Sequence, residues 1–339
     1  MLLARRAFIA SGSAALVGGC ATTGGGRPAA ACAPLAPVKA EAGRIIRTVA
    51  GLRPYRAAGF VVRADPVGDK LVVHNYGHGG AGITLSWGTS KLAIDLGLPA
   101  RGGPVAVLGA GIMGLTTARL AQEAGRDVTI YTAALPPDTT SNIAGGQWSP
   151  FGAYNDSAVT PQWRAQFMAA LDYSWRRFQI MTGDDYGIRW LQTYSESGGD
   201  EPGPLDRYHV GARRLSRAEH PFDIDAIVRF QTMYAETGRL LRQLQADFHI
   251  AGGRIVVRRF ASPADFAGLP EGTELFLINE GPDEPFGGGA PGTDFPPANP
   301  ETTRQKKKAK RAAASGYPCP TRLVCCARPS WPSPASKTC

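Results

Sequence analysis

Residues 105–114 read Val105-Ala106-Val107-Leu108-Gly109-Ala110-Gly111-Ile112-Met113-Gly114. The first four form a short, wholly apolar run, the pattern of a strand buried on both faces. A G-x-G-x-x-G loop follows without a break. Leu115 to Ala124 then predicts a helix, and Asp127 to Tyr131 a second strand. Strand, glycine loop, helix and strand at these lengths predict a βαβ unit that binds a dinucleotide. Gly109 permits the tight turn, Gly111 lets the backbone approach a pyrophosphate, and Gly114 allows close packing of helix on strand. The helix N-terminus then offers free N–H groups and a partial positive charge to the phosphates, and Ile112 in the loop joins the glycines as a cofactor-binding candidate. One element of the pattern is missing. Tyr131-Thr132-Ala133-Ala134 stands where an acid would hold the ribose hydroxyls, so ribose recognition differs, or uses Thr132 or a backbone group.

Outward from this loop, composition bounds the rest. The 339 residues suffice for two domains, and 43% hydrophobic with 19% charged residues suits a globular enzyme. The net charge of +9 belongs to the two ends. Residues 1–32 hold Arg5, Arg6 and Arg27 and no acid, while residues 280–339 hold nine Lys or Arg against five Asp or Glu. The body between is close to neutral and gives no support for a nucleic-acid partner. The cysteines divide in the same way: Cys20 and Cys32, then Cys319, Cys325, Cys326 and Cys339. The body therefore offers no disulfide, thiolate metal site or cysteine nucleophile, and no metal is expected.

Ala4-Arg5-Arg6-Ala7-Phe8-Ile9 precedes a weakly apolar run, Ala10 to Gly19, and then Cys20. A basic start and an apolar stretch too short to span a bilayer predict an export signal over residues 1–20. The paired arginines resemble a twin-arginine signal. Leu16-Val17-Gly18-Gly19-Cys20 resembles a lipobox, which would make Cys20 a lipid anchor and the protein periplasmic or membrane-tethered. The alternative is an ordinary secretory signal. Residues 21–44, rich in Gly, Ala, Thr and Pro, read as a flexible linker.

Two blocks frame the glycine loop. Residues 138–148 read Asp138-Thr139-Thr140-Ser141-Asn142-Ile143-Ala144-Gly145-Gly146-Gln147-Trp148. Residues 74–88 read His74-Asn75-Tyr76-Gly77-His78-Gly79-Gly80-Ala81-Gly82-Ile83-Thr84-Leu85-Ser86-Trp87-Gly88. Residues 59–64 and 70–76 predict a strand pair joined by a turn at 65–69. The second strand enters a glycine-rich turn and a helix, Ile83 to Leu96, so backbone amides again face an electron-rich group. With Gly51-Leu52-Arg53-Pro54-Tyr55-Arg56, these blocks resemble the D-amino-acid oxidase family of FAD-dependent oxidoreductases.

The resemblance implies FAD as cofactor, lined by Gly79, Gly80, Ala81, Gly82, Ile83 and Thr84 from one block. Thr139, Thr140, Ser141, Gly146 and Gln147 would line it from the other. It implies a substrate-binding Arg53, because a guanidinium grips a carboxylate through two parallel hydrogen bonds. The Gly80 carbonyl would receive the substrate amine. Read without the resemblance, Thr139 to Ser141 form a polar turn or helix cap and Arg53 is a solvated arginine. His74 and His78 read as packed or hydrogen-bonded loop residues, since the family chemistry needs no acid or base there.

The blocks stand in an unusual order. In the family the glycine loop opens the chain; here residues 51–95 precede it, joined through residues 96–104, as in a circular permutation. The expected architecture is α/β: a permuted Rossmann-type FAD-binding domain over residues 45–150 and an incomplete α+β substrate domain over 151–279. Within the latter, Trp163 to Met181 and Tyr234 to Phe248 predict helices, Ser216 and Glu219 a capping pattern, and 254–258 and 275–279 strands. Trp163, Trp175, Trp190 and Tyr194 read as core. From Glu280 the family pattern is lost. Residues 280–339 hold eleven Pro, six Gly and a basic run from Arg304 to Arg311. Such a segment cannot offset its ordering entropy, and it is expected to be a disordered tail of out-of-frame or otherwise degenerate sequence.

The reaction implied by the resemblance is oxidative deamination of a D-amino acid by oxygen, giving a 2-oxo acid, ammonia and hydrogen peroxide. The alternatives are oxidation of glycine or an N-methyl amino acid, and a truncated, catalytically silent flavin-binding remnant.

Overall fold

The computed structural model describes residues 41–51, 53–98, 102–196, 203–220, 222, 224–260 and 263–277. The expected export signal with Cys20, nearly all of the expected linker and residues 280–339 lie outside the described residues. The elements, in chain order, are β1 (Val61–Val67), β2 (Lys70–Tyr76), α1 (Gly82–Gly97), β3 (Val105–Leu108), α2 (Ile112–Glu123) and β4 (Val128–Thr132). They continue with α3 (Pro161–Ile180), β5 (Ile188–Glu196), β6 (Val210–Ser216), β7 (Ala226–Ala235), α4 (Thr237–Ile250), β8 (Arg254–Val257) and β9 (Glu274–Leu277).

Six strands form one sheet in the order β1-β2-β9-β3-β4-β8. All neighbours from β2 to β8 are parallel, with Val73 and Val107 both opposite Phe276, and Val107 opposite Ile130. Only β1 is antiparallel, hairpinned to β2 with Val67 opposite Lys70. The Val105–Leu108 run earns its apolarity by alternation: Val105 and Val107 face one core with Val73, Ile130 and Phe276, while Ala106 and Leu108 face a second with Val72, Leu275, Phe260 and Phe266. A parallel strand covered on both faces must be apolar throughout.

The second sheet is antiparallel, in the order β5-β7-β6. Its strands were not foreseen. Charged and apolar residues mix along them because both faces of β7 are partly covered. Several boundaries also move. The β1–β2 turn is only Gly68-Asp69, and β1 carries Pro66 without penalty because it is an edge strand. Tyr234 and Ala235 end β7, so the helix there starts later, at Thr237. The strands expected at 254–258 and 275–279 join the six-stranded sheet as β8 and β9. The Rossmann-type sheet thus draws on both sides of residue 150. Helix α3 is capped by Thr160, which accepts from the Trp163 amide at 3.1 Å, and the Ser216/Glu219 capping box is present. No helix among the described residues is long and apolar enough to cross a membrane.

Candidate functional site

Five parallel strands end at one edge of the sheet. There β3 runs into Gly109-Ala110-Gly111 and β2 into Gly77-His78-Gly79, so both glycine turns and the amino ends of α1 and α2 share that edge. Ligands of open α/β sheets bind at this carboxyl edge. Buried hydroxyls stitch the two helices together: Ser90 Oγ lies 2.9 Å from Thr116 Oγ1, and Thr117 Oγ1 donates to Ser90 Oγ at 2.8 Å.

The glycine loop has the tight turn expected at Gly109 and the close packing expected at Gly114. Gly109 has φ +115°, which an L side chain rarely adopts. A Cβ on Gly114 would lie 1.9 Å from the Gly109 carbonyl oxygen, so helix and strand touch backbone to backbone. Gly111 caps α2 in an extended conformation, and the Ile112 amide donates to Ser141 Oγ at 3.0 Å. That bond brings the second block onto the loop. Thr139 precedes a 3-10 turn and donates to Asn142 Oδ1 at 2.8 Å, while Thr140 is exposed. These residues do form a polar turn, and the turn sits at the dinucleotide edge. Thr132 is spent locally: its hydroxyl donates to the Ala134 carbonyl at 2.6 Å.

Gly146 accepts from the Ala235 amide at 2.8 Å, and a Cβ there would lie 2.0 Å from the Ala235 oxygen. Gln147 bridges Tyr234. The block thereby extends the second sheet while Ser141 holds the first. Thr84 completes the link, donating to the Ser149 carbonyl and accepting from its amide, both at 2.9 Å. Ala81 and Ile83 point their side chains into the core, so a contact of theirs with a cofactor would be through backbone. Gly82 opens α1.

Arg53 and Gly80 come together. The Arg53 guanidinium lies 3.0 Å from where a Gly80 Cβ would stand. Arg53 is exposed and makes no ion pair among the described residues. Its segment is held by Pro54, whose carbonyl accepts the Gly79 amide at 3.1 Å. One partner was missed from sequence: Gly152, whose carbonyl accepts the Gly80 amide at 2.9 Å. Its φ of +75° is the only local reason for glycine there, and Phe151-Gly152-Ala153 carries no other signal.

Both histidines are structural. His78 is buried, and its Nε2 lies 3.1 Å from Asn75 Oδ1 and 2.9 Å from Thr89 Oγ1. Thr89 donates its own proton to the Leu85 carbonyl, so Nε2–H is the donor toward it. Burial pushes its pKa down to about 3. His74 lies 3.2 Å from Asp65, yet burial and then Arg63 lower its pKa. Clefts at the far end of α2, lined by Arg119, Glu123, Arg177 and Asp247, hold no comparable arrangement. Their polar groups satisfy one another, as in Arg177–Glu123 at 2.6 Å and Tyr186–Asp247 at 2.6 Å.

A parallel sheet with two glycine turns at one carboxyl edge defines a dinucleotide-binding α/β protein. The model of the family described as FAD dependent oxidoreductase matches residues 28–96 and 104–267, well over half the chain, and the chain belongs to that family. The match breaks at 97–103, within the expected linker at 96–104. The chain is 45% identical over 65 residues to a D-amino-acid oxidase of Streptomyces coelicolor, covering 19% of this chain and 20% of that protein. It is 29% identical over 209 residues to a D-aspartate oxidase of Talaromyces thermophilus, covering 52% and 55%. The chain thus spans about a fifth to a half of the length of these curated relatives. Among solved structures, a glycine oxidase from Bacillus cereus is 17% identical with a TM-score of 0.33, covering 45% of this chain and 46% of that one. An L-amino acid deaminase from Proteus vulgaris is 16% identical with a TM-score of 0.38, covering 53% and 48%.

The residues present fit FAD, the cofactor of the family. The close approach at Gly114, the amide-bearing start of α2 beside Ser141, and the Gly79-Gly80 turn make a backbone-lined edge of the kind a dinucleotide needs.

Proposed function

We propose that the protein oxidises D-amino acids in its FAD-bound form, converting substrate, oxygen and water to a 2-oxo acid, ammonia and hydrogen peroxide. The observation that carries this reading is the Arg53 guanidinium, free of any ion pair among the described residues, beside Gly80 in the second glycine turn. A cation so placed can take a substrate carboxylate bidentately and orient the rest of the molecule. The names of the relatives at the sequence level, D-amino-acid and D-aspartate oxidases, support the D configuration. Bound FAD would supply the two-electron acceptor. Gly109, Gly111, Ile112 and Gly114 would face its pyrophosphate, and the 79–84 turn and the 139–147 block the remainder. The chain's own task is orientation. Gly80 is fixed through its amide on Gly152, which leaves its carbonyl for the amine. No titrating side chain is required, consistent with a neutral, hydrogen-bonded His78.

The test is an absorbance spectrum of the purified, FAD-loaded chain, before and after anaerobic addition of D-alanine, glycine and N-methylglycine. Bleaching by D-alanine but not L-alanine supports the reading, and bleaching by glycine or N-methylglycine alone replaces it with the related amine oxidation. Arg53→Ala should raise the substrate concentration needed at least ~100-fold, the equivalent of about 3 kcal/mol, with FAD retained. Loss of FAD with unchanged substrate affinity would remove Arg53 from that role.

A further inference from the structure

At the adenosine end of the dinucleotide edge the usual charge is missing. A βαβ unit commonly places an acid at the end of its second strand, where it accepts from the ribose hydroxyls. Here β4 ends at Thr132, and no acid stands between Thr132 and Pro137. Thr132 does not take over the task, since it is buried and its hydroxyl donates to the Ala134 carbonyl. Ala133 is exposed and offers only a methyl group.

A cation stands in that place instead. Strand β8 runs parallel to β4 and ends at the same carboxyl edge, with Thr132 opposite Val257. The Arg258 amide donates to the Thr132 carbonyl at 2.9 Å, so the pairing continues past the end of the strand. One further step of that register sets Arg258 beside Ala133. Residues two apart on a strand share a face. On this face Tyr131, two before Ala133, meets Phe260, two after Arg258, edge to face at 5.5 Å. The Arg258 guanidinium lies over the Phe260 ring, 4.6 Å from its centroid, and this contact holds it at the end of β4. Arg258 and the adjacent Arg259 are exposed, and neither makes an ion pair among the described residues.

This exchange of charge inverts what the position can recognise. A carboxylate accepts from ribose hydroxyls and repels a phosphate. A guanidinium carries donors alone and grips a phosphate through paired, charge-assisted hydrogen bonds. In dinucleotide-binding sheets an arginine near this position accommodates a 2′-phosphate on the ribose.

We propose that Arg258, with Arg259 next to it, forms a ribose-phosphate subsite, so that the glycine-loop edge takes adenine nucleotides phosphorylated on the 2′-hydroxyl in competition with FAD. FAD carries no phosphate on its ribose and gains nothing from Arg258. A 2′-phosphorylated nucleotide would therefore keep the chain free of flavin and silence an oxidase activity. The proposal rests on the glycine loop as the dinucleotide edge and is independent of Arg53.

The test is competition with FAD for the full chain at fixed ionic strength, with bound FAD read from its fluorescence. The probes are 5′-AMP, adenosine 2′,5′-bisphosphate and its 3′,5′ isomer, the last two equal in charge. The 2′,5′ compound should compete at a concentration at least ~10-fold lower than either of the others, as a charge-assisted contact provides. Arg258→Gln should remove most of that advantage and leave 5′-AMP unchanged. Ala133→Asp, which restores the acid, should weaken the 2′,5′ compound about 10-fold and tighten FAD. Equal competition by 5′-AMP and the 2′,5′ compound, or an advantage that survives Arg258→Gln, overturns the subsite while the dinucleotide edge stands. Equal strength of the two bisphosphates shows attraction by charge alone and also overturns it. If no probe competes with FAD, the glycine loop is not the adenosine site, and the edge itself is overturned.

Discussion

Replacing Gly88 by alanine tests how the helix that carries the second glycine turn is seated. A Cβ at this position would lie 1.9 Å from the Ala170 carbonyl oxygen, 2.4 Å from its carbon and 2.5 Å from its Cα. All three are backbone atoms of α3, so no side chain can swing aside. Ordinary contact needs about 3.4 Å, which means that α1 and α3 must part by roughly 1.5 Å. Overpacking of this kind costs about 3 kcal/mol. The separation also breaks the bond from the Gly88 amide to Ser174 Oγ, 2.8 Å and buried, worth about 1 kcal/mol. Alanine returns about 1 kcal/mol of helix propensity. The net loss is about 3 kcal/mol. With a urea m-value of about 3 kcal/mol/M, the unfolding midpoint should fall by about 1 M. FAD affinity should fall with it, since α1 carries the turn at its amino end. Gly102→Ala is the control, because nothing stands within 4 Å of its Cβ. A Gly88→Ala midpoint indistinguishable from that control would refute the reasoning.

Two other changes probe the same frame. Because His78 is held neutral with a pKa pushed down to about 3, while an unfolded histidine titrates near 6.5, the unfolded chain binds the extra proton in between. Stability is therefore full above pH 6.5 and falls as pH drops toward 3, by up to about 1.4 kcal/mol per unit from this residue. Urea titrations of His78→Gln from pH 6 to pH 4 should show a pH slope shallower by about one proton; an unchanged slope would count against the buried neutral ring. Arg126→Met removes the guanidinium 2.7 Å from Glu274, whose side chain is 0% exposed, and should cost about 3–5 kcal/mol. Adding Glu274→Leu should recover most of that loss, and a single variant as stable as the parent would show that the pair is dispensable.

The legible parts of this sequence were those where local backbone chemistry decides the outcome. Gly109 and Gly114 announce a positive φ and a backbone contact that no other residue could replace, and the apolar run at 105–108 can only be a strand covered twice. The second sheet was illegible for the opposite reason. Strand β6 is exposed along nearly all its length, and β7 mixes burial on both faces, so neither shows a period of two. Strands β8 and β9 were seen as strands, but their partners were not, because partner choice is not written in four residues. Arg254 to Val257 pairs in parallel with β4 at the edge of the sheet. At the site, Arg53 was named through the resemblance, whereas Gly152, whose carbonyl accepts the Gly80 amide, carried no signal because its contribution is a backbone atom.

The two glycine turns stand on separate stretches of the chain, and the segment between them does not hold them in register. Strand β2 does not touch β3; β9 lies between them and pairs in parallel with both. The amino-terminal block therefore completes the sheet only when a strand some 200 residues later is in place, a non-local pairing that makes folding slow. What aligns the turns directly is the seam between α1 and α2. There Ser90, Thr116 and Thr117 share hydrogen bonds, Thr116 Oγ1 also reaches the Ser86 carbonyl at 3.3 Å, and Thr89 bonds the His78 ring. Every group in that seam is buried, and a buried polar network holds position only when its members are mutually satisfied. The seam carries positional information from one block to the other whichever comes first in the chain, and so a permuted order is compatible with an unchanged site.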